Sequence, residues 1–357
     1  MSTMQAVILP TTYSDPSGFE LSSLPRPKVT SASDVVVRVH ASSINPIDVK
    51  KASGLMKMMS KDSFPYGIGY DVSGVVTTVG SSVTRVRVGD EVYFKLPESH
   101  RGAWAHYAKC PERYVAHKPK SISFEEAAAM PLAALTALQG LRKYEGSLSG
   151  KTVFVPAGLS GTGSFACQLA KNIFGAGKVI TTVSTSKVAK VPALLGEGVV
   201  DQVIDYTTTD PMAAIPPKSV DLMFDTTGQS MQFLSRMVPE TGLIISISTT
   251  PSGTQMQSAS DFGNVPFVVS TALDTIDSVR KWRAWRWSVR YEFLCLEPSG
   301  QDLDELRGYV ENGKLKSVVG TTVPLEDIEQ VKKAAMVTYQ AKGGIGKTVF
   351  TMAADGK

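Results

Sequence analysis

The chain has 357 residues, 43% of them apolar and 20% charged, with a formal net charge of +4. That length favours two domains over one core, the apolar fraction excludes wholesale disorder, and so mild a charge makes no case for a nucleic-acid binder. Three cysteines and four histidines at wide spacing exclude a disulfide framework and a four-thiolate zinc lobe, and no run approaches the ~18 apolar residues of a membrane span.

The first part reads as β-rich. Short β-branched runs at Met4–Leu9, Asp34–Ala41, Val72–Val79 and Glu91–Phe94 are separated by Gly, Pro and Ser, and Val86–Val92 reads as a strand, a tight turn and a second strand. A small barrel suits them. The character changes near residue 122. Acid in the first turn and Ala beyond predict a helix over Phe124–Met130, and Leu132–Tyr144 continues helical after Pro131. Strands then alternate with helices: strand Thr152–Val155, helix Ser164–Phe174, strand Lys178–Ser184, helix Lys187–Leu195, strands Gln202–Asp205 and Val220–Asp225, helix Ser230–Val238, strand Gly242–Ser248 and a late strand Tyr291–Leu296. This alternation predicts a parallel sheet with helices on both faces. The tail carries helical segments at Asp302–Asn312 and Leu325–Tyr339 and ends in the strand Thr348–Met352.

The most informative motif is the turn from Pro156 to Gly163, which follows a predicted strand and opens a predicted helix. That is the setting of a dinucleotide fingerprint. Gly158 would permit the tight turn and Gly163 close packing of helix on strand. Between them the backbone of Ser160, Gly161 and Thr162 would approach a pyrophosphate at the helix N-terminus. Ser160 replaces the middle glycine, and its hydroxyl could itself donate to phosphate. A ligand-free glycine-rich connection is the alternative. One strand later, Ser184, Thr185, Ser186 and Lys187 stand where a site for NAD places an acid. Hydroxyls and a cation suit a 2′-phosphate, so NADPH is preferred to NADH; an exposed cap followed by solvated lysines is the bland reading.

Two other features have a structural reading. Gly343–Thr348 resembles the end of a P-loop, but no strand precedes it and too little chain follows. Trp282, Trp285 and Trp287 lie among Arg280, Lys281, Arg283, Arg286 and Arg290. One helix with Trp against the core and Arg in solvent is expected there, rather than a surface that stacks on bases.

Taken in order, Ala41–Lys50, Phe64–Val76, Val88–Val92, Gly102–Tyr107, Ala127–Ala137, the glycine turn and Gly346–Val349 resemble the medium-chain dehydrogenase/reductase superfamily, in its zinc-free quinone oxidoreductase and enoyl reductase branch. The resemblance implies an α/β chain. A GroES-like β-barrel catalytic domain would span 1–124 and be completed by 299–357, with a doubly wound Rossmann NADPH-binding domain over 125–298. It also implies a homodimer paired through the edge strand Tyr291–Leu296. Zinc-dependent relatives have Gly-His-Glu where this chain has Gly69-Tyr70-Asp71, and the cysteine ligand expected near Ile44–Asn45 is absent, so no metal is expected.

By the same resemblance Asn45 lies near the nicotinamide and Asp48 braces the barrel. Thr136, Tyr206, Ile247 and Ser248 line the cofactor, and Lys347 either reaches it or is a solvated strand residue. Met56 stands where many relatives place a Tyr proton donor. Tyr70 is then the candidate acid, with Tyr66 next; barrel packing is the bland reading of both, and solvent is the other proton source. The expected activity is NADPH-dependent hydride transfer to an enone, an enoyl group or a quinone. The alternative is an NADPH-binding structural or regulatory protein with little turnover. A cytoplasmic location, with no nucleic-acid or membrane partner, is expected.

Overall fold

The computed structural model describes residues 2–58, 62–258 and 265–353. A six-stranded parallel sheet runs, in spatial order, Gln202–Asp205, Lys178–Val183, Thr152–Val155, Leu222–Asp225, Leu243–Ser246 and Arg290–Phe293. By chain position that is third, second, first, fourth, fifth, sixth, the doubly wound order of dinucleotide-binding sheets. The order reverses at Thr152–Val155, so a crevice opens at the carboxyl end of that strand. The central strands Thr152–Val155, Leu222–Asp225 and Leu243–Ser246 are buried on both faces, as their apolar runs require. Val153 and Val155 join a core with Phe165 and Leu169 of the helix Gly161–Asn172. Phe154 faces the other way, into a core with Phe233, Ala284 and Tyr291.

The remainder builds a sheet of seven strands. Its path is Val319–Pro324, Lys347–Thr351, Asp34–Ser43, Asp71–Val79, Glu91–Lys95 and Ala116–His117, with Tyr107–Pro111 also paired to Asp34–Ser43. Thr3–Leu9, Glu20–Pro25 and Tyr66–Gly67 form a smaller antiparallel sheet. The chain is therefore α/β, a GroES-like sheet domain beside a Rossmann-like parallel sheet. One pairing positions the site. Val349 registers against Ser43 and Thr351 against Ala41, which seats the late strand beside the early one and sets Lys347 next to Asn45.

Several expected elements differ. Only Glu91–Lys95 of the Val86–Val92 region is a strand. Ser230–Val238 is two short 3-10 turns, Ser230–Gln232 and Leu234–Arg236. The carboxylate of Asp225 captures the Thr227 and Gly228 amides there, competing with a helix start. Lys187–Leu195 is 3-10 over Thr185–Lys190 and α-helical only from Val191; Pro192 has no N–H to bond back into the preceding turn, so it stands in the first turn of the α-helix. The edge strand is Arg290–Phe293.

The Trp segment overturns its expectation. Helix Phe267–Trp285 turns Ser270, Asp277 and Ala284 inward and leaves all three Trp exposed. At its start the helix lies close to Gly253, where a Cβ would stand 2.4 Å from the Cα of Ser270.

Candidate active site

The glycine turn sits at the sheet's reversal point. Ala157, and not Gly158, takes the left-handed backbone, with φ 54°. Gly158 is needed for space instead: a Cβ there would meet the Thr181 hydroxyl at 2.1 Å. Thr181 is itself fixed, its Oγ1 donating to the Val155 carbonyl at 2.6 Å. At Gly163 a Cβ would meet the Ala157 carbonyl at 2.3 Å, so this glycine closes the turn on itself. Ser160 caps the helix Gly161–Asn172, its Oγ accepting from the Gly163 amide at 3.1 Å. Its hydroxyl proton stays available to an anion. The first-turn amides, Gly161 and Thr162 among them, belong to the orphan donors of a helix start. Glycine clearance and helix start together fit a pyrophosphate.

At the adenosine end, Thr185 donates to the Asp205 carboxylate at 2.7 Å, and Lys187 donates to the Gly344 carbonyl at 2.8 Å. Ser184 and Ser186 make no side-chain hydrogen bond among the described residues, and Tyr206 is 54% exposed beside them. Asp205 is the residue that sequence reasoning missed. No acid stands at the end of strand Lys178–Val183 itself; the parallel register Val183↔Asp205 brings this one in from the neighbouring strand. Hydroxyls of Thr185 and Thr207 hold its carboxyl below the usual carboxylate range.

The other end is a buried polar cluster. The Asp71 carboxylate accepts from Ser43 Oγ at 2.7 Å, from Asn45 Nδ2 at 2.8 Å and from the Leu132 amide at 2.8 Å. Lys347 Nζ lies 3.5 Å from it and donates to the Ile44 carbonyl at 2.8 Å and to Asn45 Oδ1. The stem of Lys347 crosses Gly161, where a Cβ would stand 2.7 Å from its Cδ. The Gly346 amide donates to the Leu159 carbonyl at 2.7 Å, joining the tail to the glycine turn. The segment that resembles a P-loop end thus packs against the glycine turn. Burial pulls the Lys347 ammonium down, against Asp71 and Asp48. Burial likewise pushes the Asp48 carboxyl well up, against the Asn45 amide, which donates to it at 2.6 Å.

Thr136 lies near this cluster on the helix Pro131–Leu141, but its hydroxyl returns to the Leu132 carbonyl at 2.7 Å. Ile247 and Ser248 follow the strand Leu243–Ser246; the Ile247 amide donates to the Asp225 carbonyl, and Ser248 Oγ to that of Thr226.

Tyr70 belongs to a second network. Its phenol donates to Glu98, which also receives Lys51 Nζ at 2.7 Å and Arg101 at 2.9 Å. Burial first, then Glu98, pushes the Tyr70 phenol well above its ordinary value, so it is a neutral donor with its proton already committed. Tyr66 is buried under the Arg101 guanidinium, 4.0 Å from the ring centre. Lys51 and Glu98 carried no sequence signal of their own, because barrel topology alone brings them together. Among the described residues no group of three or more His, Cys, Asp or Glu is placed to hold a metal ion.

Residues 31–120 match the family model for the alcohol dehydrogenase GroES-like domain, and residues 200–349 the one described as zinc-binding dehydrogenase. The Arabidopsis thaliana protein named NADPH-dependent alkenal/one oxidoreductase, chloroplastic, is 34% identical over 299 residues. That match covers 81% of this chain and only 65% of the Arabidopsis protein. The quinone-oxidoreductase homolog, chloroplastic, of Spinacia oleracea is 32% identical over 311 residues, 85% of each chain. Among solved structures, the quinone oxidoreductase of Coxiella burnetii superposes with a TM-score of 0.80 at 28% identity, over 99% of this chain and 100% of that one.

Proposed function

Since the chain belongs to the quinone oxidoreductase-like branch of the medium-chain dehydrogenase/reductase superfamily, we propose that it is an NADPH-dependent, zinc-independent reductase of enones, enoyl groups or quinones. The observation that carries this reading is the path of Lys347. One side chain lies across the helix start that would receive the pyrophosphate and ends on Asn45 and Asp71. The two halves of a dinucleotide site therefore share a residue.

NADPH would be held by the turn Gly158–Gly163, by Ser184–Lys187 with Tyr206, and by the wall of Ile247, Ser248 and Thr136; when bound it supplies a hydride. The chain's own part is position and electrostatics. Asn45 is fixed from both sides, by Asp71 and Lys347, so its amide holds one orientation at the nicotinamide end. Asp71 takes proton donors on both oxygens, which leaves it poorly placed to ligate a metal. Tyr70 donates inward to Glu98, which favours solvent as the proton source.

The strand Arg290–Phe293 ends the sheet order, and its free edge supports a homodimer. A cytoplasmic location remains part of the proposal. The test is NADPH oxidation against a panel of enones, enoyl thioesters and quinones. Turnover of at least one class, undiminished by chelator, is expected. Tight NADPH binding with no turnover of any class would instead favour a structural or regulatory role.

A further inference from the structure

Helix Phe267–Trp285 leaves several large apolar side chains in solvent while burying small and polar ones. Its inward line is Ser270, Asp277 and Ala284. Its outward line is Val268, Ala272, Ile276, Val279 and Trp282, with the exposed Thr275 among them, at the three- and four-residue spacing of one helix face. Val268 is 77% exposed and Trp282 53%; Trp285, the last helical residue, is 71% exposed, and Trp287 beyond the helix end 48%. A helix with this composition ordinarily buries its apolar line.

The charge on this face is one-sided. Lys281, Arg283 and Arg286 are exposed. The acids of the helix are engaged locally: Asp277 holds Lys281 at 2.7 Å, and Asp274 accepts from the Thr254 amide at 3.0 Å. Arg286 rests 5.2 Å from the Trp282 ring centre, and Arg283 makes no ion pair among the described residues. Uncompensated cations therefore flank an exposed aliphatic and indole stripe.

We propose that this face docks on an anionic lipid surface. The aliphatic line would enter the headgroup boundary, the Trp side chains would sit at the interface, and the guanidinium groups would meet lipid phosphates. No helix among the described residues is long and apolar enough to cross a membrane, so the helix lies in the plane of the surface. This replaces the expectation of no membrane partner, which rested on the lack of a spanning segment. A second copy meeting this outward line symmetrically, as distinct from one paired through the strand Arg290–Phe293, would set Arg283 and Arg286 near their own counterparts, with no acid on the line to meet them. Nucleic acid would use the cations and leave Val268, Ile276 and Val279 without a role.

The test is co-sedimentation with vesicles of equal parts phosphatidylcholine and phosphatidylglycerol, against vesicles of phosphatidylcholine alone. Tryptophan emission is a specific readout, because three of the four Trp lie on this face. Sedimentation with the anionic vesicles, blue-shifted emission and reversal by high salt are expected. Arg283→Glu with Arg286→Glu should weaken partition at least about tenfold, since each charge lost costs roughly a factor of five. Trp285→Ser should weaken it as well. Both variants change exposed groups and should keep the wild-type melting temperature and NADPH affinity. Failure of the wild-type chain to sediment with anionic vesicles overturns the proposal. So does a lipid-free dimer that Trp285→Ser dissociates, which would assign the face to a second copy.

Discussion

Lys347 and Asp71 form a buried pair, Nζ to Oδ2 at 3.5 Å, with side chains 6% and 0% exposed. The two residues are far apart in the chain, and the strand Lys347–Thr351 brings them together by pairing with Asp34–Ser43. Asn45 lies between them, donating to one and accepting from the other. Removing one partner of such a pair leaves a buried charge unmatched. Lys347→Met should cost about 3 kcal/mol, read from the denaturant midpoint at unchanged slope. Adding Asp71→Asn should restore part of that loss. A single variant as stable as wild type would mean that the pair is not coupled.

Gly158 faces a fixed neighbour. Gly158→Ala would drive a methyl group into the Thr181 hydroxyl and toward its Cβ, 2.9 Å away. A loss of roughly 1–3 kcal/mol in stability, with weakened NADPH binding, is expected from such overpacking. Thermal melting and fluorescence titration read the two effects separately.

Lys187 is the cation proposed for the adenosine end of the cofactor. Lys187→Ala should weaken NADPH binding about tenfold, the scale of one charge-assisted hydrogen bond, and leave NADH nearly unchanged. Parallel titrations with the two cofactors measure this. Equal weakening of both would remove Lys187 from 2′-phosphate recognition.

Tyr70→Phe separates packing from proton donation. The substitution keeps the ring and removes the phenol that bonds Glu98. With solvent as the proton source, kcat should stay within about threefold; a general acid contributes roughly 100-fold or more. A fall of that larger size would make Tyr70 the donor.

Asp34 sets one part of the acid response. Burial opposes its ionisation, but the Thr30 and Ser31 amides and the Lys109 ammonium outweigh burial and hold its carboxyl down from 3.8 to about 2. Its folded-state value lies below its unfolded one. The stability it contributes is therefore complete above pH 3.8 and is lost as pH falls through about 2. Asp34→Asn should be less stable near neutrality and show a shallower loss over that window, read by urea unfolding at stepped pH.

The sequence by itself determined the doubly wound half. Thr152–Val155, Gln202–Asp205 and the glycine turn are local signals, written in apolar runs and punctuation that act over a few residues. It also determined that Cys and His are too few and too scattered for a zinc framework. Register and close approach are not local, and those only the tertiary structure decided. Asp205 reached the adenosine end through parallel pairing with Val183. The Tyr70 phenol meets Glu98, itself held by Lys51, through the barrel's topology. In each case a side chain's partner lies far along the chain, and the choice among partners is made by packing, which no window of sequence contains.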